Sequence, residues 1–184
     1  MSPACRVFSR RDCLRVLLGG AAWLTGSAAS HAQKSQWRQA TAAELAAALP
    51  ARVSVEQERI ETEMRTASGV IDARSRVVAG VVLLTAGYSA DGKYSHYLLV
   101  EVPIRIDGLP FPVGQYAFGW TRGQDHDTLL VHFNQASNGQ IVGSVLARRF
   151  LDPIRLESLH IWPPAERSTI QIGRFQIPYR VENE

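Results

Sequence analysis

Residues 77–84 read Val-Val-Ala-Gly-Val-Val-Leu-Leu, and this run constrains the fold more than any other stretch of the chain. It is almost continuously apolar and β-branched, so it predicts a strand buried on both faces. Turn chemistry recurs at short intervals around it. Asn138-Gly139 is the strongest hairpin signal, Asp107-Gly108 opens another loop, and Asp91-Gly92 separates two aromatic strands. The segment 123–127 links an expected strand at 115–121 to one at 128–134. Further strands are expected at 59–66, 155–161 and 169–181, with a Pro163-Pro164 loop between the last two. One helix is expected: Thr41-Ala-Ala-Glu44 is a capping box, and the alanine-rich stretch that follows stops at Pro50. The fold class is therefore all-β. It is a single antiparallel β-sandwich or partly closed barrel over residues 51–184, preceded at 33–50 by a flexible lead and a short helix.

The first 32 residues have a different purpose. Arg6, Arg10, Arg11 and Arg15 form a basic region ahead of an apolar segment at 16–29. That segment is too short and too rich in Gly and Ser for a spanning helix, which needs about 20 apolar residues. Ser-Arg-Arg-Asp-Cys-Leu-Arg at 9–15 resembles a twin-arginine export signal, with Cys13 where Phe is usual, and the general secretory route stays open as the alternative. Small residues at Ser30 and Ala32 place the cleavage site after Ala32, which implies a periplasmic or extracellular mature protein with no membrane span.

Cleavage changes the charge argument. The segment holds four of the 20 Lys and Arg and one of the 17 Asp and Glu, which leaves 16 of each and a formally neutral mature chain. No basic surplus remains for phosphate contacts, so nucleic acid is excluded as the expected partner. Cys5 and Cys13 both lie in the signal, so the mature chain has no disulfide, thiolate metal site or cysteine nucleophile.

Ile-Asp-Gly-Leu-Pro-Phe-Pro-Val-Gly-Gln-Tyr at 106–116, followed by Leu-Leu-Val-His-Phe-Asn at 129–134, resembles a bacterial exported domain of unknown function. That domain carries a shorter Gly-x-Leu-Pro-x-Gly-x-Tyr hairpin. The resemblance spans about residues 106–134 and implies a β-sandwich outside the cytoplasm; it transfers no catalytic residue.

Candidate site residues divide into aromatics and ionisable groups. Tyr116, Phe118 and Trp120 share one strand face, either a platform for sugar rings or part of the core, and burial preferences favour the core. The opposite parity, Gln115, Ala117, Gly119 and Thr121, reads as a surface or a close-packed backbone rather than a core. Trp162 is a further candidate for contact with a partner. Glu61 and Glu63 would stand about 7 Å apart on a strand, a spacing suited to paired carboxylates. They are flanked on the same parity by Arg59 and Arg65, which reads as a charge-balanced solvated face.

His96, His126, His132 and His160 show no metal-ligand spacing, and Asp125-His126-Asp127 falls in an expected turn. Ser95 and His96 would point to opposite faces of a strand, and neither a Gly-x-Ser-x-Gly elbow nor a Gly-rich nucleotide loop is present. No metal or cofactor is expected. The leading function is an exported, non-catalytic binding or accessory module with a protein or glycan partner. The alternative is a hydrolase with a dispersed site drawn from His96, His132, His160, Asp125 and Glu101.

The address is testable on its own. Replacing Arg10 and Arg11 by Lys should stop export, since the twin-arginine route reads that pair; a double variant that still leaves the cytoplasm would assign the general secretory route.

Overall fold

The computed structural model describes residues 37–85 and 94–182. The expected export segment with Arg10 and Arg11, the expected cleavage site at Ala32 and the expected Asp91-Gly92 turn lie outside the described residues. The chain begins with β1 (Trp37–Gln39), α1 (Ala42–Ala48), β2 (Arg52–Val55), β3 (Glu58–Glu61) and a 3-10 turn at Met64–Thr66. β4 (Ser68–Asp72), β5 (Val77–Leu83), β6 (His96–Val100), β7 (Ile104–Ile106) and β8 (Leu109–Phe111) follow. The rest is β9 (Gly114–Arg122), β10 (Thr128–Gln135), β11 (Ile141–Arg149), β12 (Glu157–Ile161), β13 (Thr169–Gly173) and β14 (Phe175–Val181).

The all-β class is correct, and every ladder is antiparallel. The main sheet runs β1-β4-β5-β6-β9-β10-β11-β14-β13-β12, with the β7–β8 hairpin branching from β14; β2 and β3 form a separate pair. The long sheet coils until β12 packs against β4 and β5. It does not close by a ladder. Instead the Ile161 N–H donates to the buried Ser68 hydroxyl at 3.0 Å, and the Gln39 amide donates to the same oxygen at 2.9 Å.

β5 is buried on both faces, as its composition requires, because two cores sandwich it. On β6, Leu98 and Val100 enter the larger core inside the coiled sheet, while Tyr97 and Leu99 enter a smaller one on the other side. α1 and the β2–β3 hairpin supply that smaller core through Leu45, Leu49, Val53, Val55 and Ile60. The helix is capped as expected: the Glu44 N–H donates to Thr41 Oγ1, and the Thr41 N–H donates to the Glu44 carboxylate at 2.8 Å. Arg38 clamps that carboxylate with two bonds, and with the Thr41 bonds this pulls the Glu44 pKa down to about 2. Its seat is a cross-strand glycine pair, Gly69 opposite Gly80. A Cβ at Gly69 would lie 2.6 Å from Leu45 Cδ2, and one at Gly80 would press on Leu49.

Several expected elements change. Trp37–Gln39 is not a lead but a strand on β4. The expected strand at 59–66 ends at Glu61, because Thr66 spends its hydroxyl on backbone, donating to the Glu63 carbonyl (2.7 Å) and accepting from the Leu83 N–H (3.1 Å). Residues 169–181 are a hairpin, turned by Gly173 at φ +58°. On the opposite parity of β9, Gln115 and Thr121 are exposed, whereas Gly119 is buried and Ala117 is fully buried in the smaller core. The Asp107-Gly108 turn has positive φ at both residues, the backbone of a type I′ hairpin.

Phe118 is fully buried between the His96 ring at 4.8 Å and the Phe133 ring at 5.0 Å. Phe118→Ala should therefore cost roughly 3–5 kcal/mol in chemical denaturation, while exposed Thr121→Ala should stay within about 0.5 kcal/mol of the parent. An unchanged midpoint for Phe118→Ala would contradict this packing.

Candidate functional site

Where strands end at one rim of the coiled sheet, side chains from five of them and one turn surround a cavity of about 540 Å³. Leu83 ends β5, Ser95 directly precedes β6 and His96 begins it, Trp120 and Arg122 lie at the end of β9, and Leu129 lies near the start of β10. Ser158 comes from β12, and the β13–β14 turn adds Ile172, Gly173, Arg174 and Phe175. The size falls within the roughly 300–1,000 Å³ of ordinary small-molecule sites. Its wall is mostly apolar, which suits a ligand body rather than a hydrated ion.

His96 forms part of the floor. Its ring stacks on Phe118 at an interplanar angle of 19°, so the floor of the cavity rests on the larger core. Burial pulls its pKa down to about 4, which leaves a neutral imidazole at pH 7. The sequence placed Ser95 on the opposite face from His96, and that is corrected: Ser95 precedes the strand, and its Oγ lies 2.6 Å from His96 Nδ1. The Ser95 backbone is fixed by its N–H to the Phe118 carbonyl at 3.1 Å and by its carbonyl to the Leu84 N–H. The two side chains thus share one hydrogen bond. Among the described residues no carboxylate lines the cavity to orient the imidazole, the third group that tunes a serine nucleophile.

The aromatic stripe divides along β9. Tyr116 and Phe118 are core residues and present no platform, whereas Trp120, 36% exposed, reaches the cavity. Tyr116 donates its hydroxyl to the Pro112 carbonyl at 2.8 Å. Trp162 stands apart from the cavity. Its indole N–H donates to Gln171 at 2.9 Å, His160 tilts over its ring at 4.3 Å, and Arg167 stacks above it.

The residues named for a dispersed hydrolytic site are not brought together. His96 shares a face with Phe118 and Phe133, so His132, adjacent to Phe133, points to the other side and bonds Ser144 instead. Glu101 lies past the far end of β6, about 17 Å from His96 along an extended chain. Asp125 accepts from Thr128 Oγ1 at 2.7 Å and shapes the turn in which His126 sits at φ +58°. Among the described residues no three His, Cys, Asp or Glu side chains group as metal ligands. Glu61 pairs with Arg52 at 2.5 Å and Glu63 with Arg65 at 2.8 Å, so they do not act as a carboxylate pair on one strand.

Sequence reasoning missed Arg122 and Arg174. Arg122 was within reach, since it continues the Tyr116, Phe118, Trp120 parity to the strand end. Arg174 was not, because its turn lies inside a segment read as a single strand. Among the described residues no helix is long and apolar enough to cross a membrane. No family model, curated protein or solved structure matches this chain.

Proposed function

We propose that the protein is an exported, non-catalytic binding module whose site is the cavity at the open rim of its sheet, and that the bound partner is a small molecule with an apolar body. One observation carries the reading: a mostly apolar wall of Leu83, Trp120, Leu129, Ile172 and Phe175 around a space of about 540 Å³. Such a space favours an apolar ligand because burial removes its surface from water at about 25 cal/mol per Å². A glycan laid on a flat aromatic platform is less favoured, since two of the three stripe residues are buried. The twin-arginine motif supports delivery outside the cytoplasm, where such a module would capture or carry its ligand.

The test is titration of the purified protein with a neutral fluorescent apolar probe such as N-phenyl-1-naphthylamine. Saturable one-to-one binding is expected, with energy transfer from tryptophan. Ser158→Trp at the exposed lip and Leu83→Trp on the wall should each fill the space and weaken binding at least about tenfold. A parent that shows no saturable binding, or folded variants that bind as the parent does, would overturn the proposal.

A further inference from the structure

Resting on the cavity as a binding site, we infer its ligand class: an anionic amphiphile, with an apolar tail inside and a carboxylate or phosphate head held between Arg122 and Arg174. Among the described residues the cavity lining contains these two guanidinium groups and no carboxylate, so its formal charge is positive. Some arginines elsewhere are matched, as Arg38 is to Glu44, Arg52 to Glu61, Arg76 to Asp72 and Arg105 to Glu182, and among the described residues others, such as Arg59 and Arg148, are not. Arg122 and Arg174 have no ion-pair partner among the described residues.

The two arginines come from different elements that line the same cavity. Arg122 ends β9 one parity step beyond Trp120 and opposite Leu129, and Arg174 is the exposed tip of the β13–β14 turn. Two like charges brought to one mouth repel each other, and an anion between them turns that repulsion into attraction. Guanidinium suits the task, because its planar fork donates paired hydrogen bonds to carboxylate or phosphate oxygens. The apolar wall behind them lowers the local dielectric and concentrates their field on the opening. The floor offers no competing cation, since the His96 imidazole is uncharged at neutral pH. Polarity therefore runs from a cationic mouth to an apolar interior, the complement of an amphiphile with one anionic end.

Calorimetric titration of the purified protein with decanoate, decyl phosphate, decanol and acetate separates tail from head. The anionic ten-carbon probes should bind at least about tenfold more tightly than decanol, and acetate should not bind measurably. Tighter binding of either anionic probe supports the inference and tells which head is preferred. In Arg122→Gln/Arg174→Gln, decanoate affinity should fall to the decanol level while decanol binding is unchanged. Raising the salt concentration should weaken decanoate but not decanol. Equal affinity for decanoate and decanol in the parent, or full decanoate affinity in the double variant, would overturn the charge assignment and leave the cavity reading standing. Failure of both to bind would overturn both.

Discussion

Burial of β4, β5 and β6 on both faces is the constraint on which the rest of the structure depends. A strand such as Val77–Leu83, with Val78, Ala79, Val81 and Val82 all fully buried, is stable only when each face is covered. The sheet covers one face by coiling over itself, so that Ile161 and Ile170 enter the same core as Val81 and Leu98. The helix and the β2–β3 hairpin cover the other. Close approach is essential there, and Gly69 and Gly80 provide it by removing two side chains beneath Leu45 and Leu49. The cap on α1 then sets where those leucines fall, since a seven-residue helix gains little stability from its own hydrogen bonds.

The same coiling explains where the cavity lies. Near Ser68 the two ends of the sheet meet through hydrogen bonds from Ile161 and Gln39 to one buried hydroxyl. Ser68 pairs with Val81, two residues before the cavity residue Leu83, and around the cavity β9 ends at Arg122, β6 begins at His96, and β13 turns back at Gly173. Phe118 seals the core just below, and His96 stacked upon it marks the boundary between core and cavity. The cavity thus follows from an unclosed sheet, and Arg122 at the end of β9 and Arg174 in the β13–β14 turn belong to its lining.

Local chemistry was legible in the sequence wherever one short segment decides the outcome. The β-branched run announced β5, Thr41 and Glu44 announced the helix start, and Asp107-Gly108 announced its turn. Where a side chain had two uses, sequence misled: Thr66 favours strands by composition yet here closes a 3-10 turn. The Gly173 turn was hidden inside a run of strand formers, and with it Arg174. The candidate site was less legible than the fold, because Leu83, Trp120, Leu129 and Ile172 meet only through sheet curvature. Trp120 was identified for its parity, but parity cannot tell that Phe118 would be sealed beneath and Trp120 left at the rim.

The most direct measurement is diffraction from crystals pressurised with xenon, which enters apolar cavities and avoids close-packed interiors. Xenon is expected in one place, against Leu83, Trp120, Leu129, Ile172 and Phe175, with none between α1 and the Gly69–Gly80 pair. An unfilled rim, or xenon lodged beneath the helix, would contradict a structure sealed on its helical side and open at the ends of β6, β9 and β13.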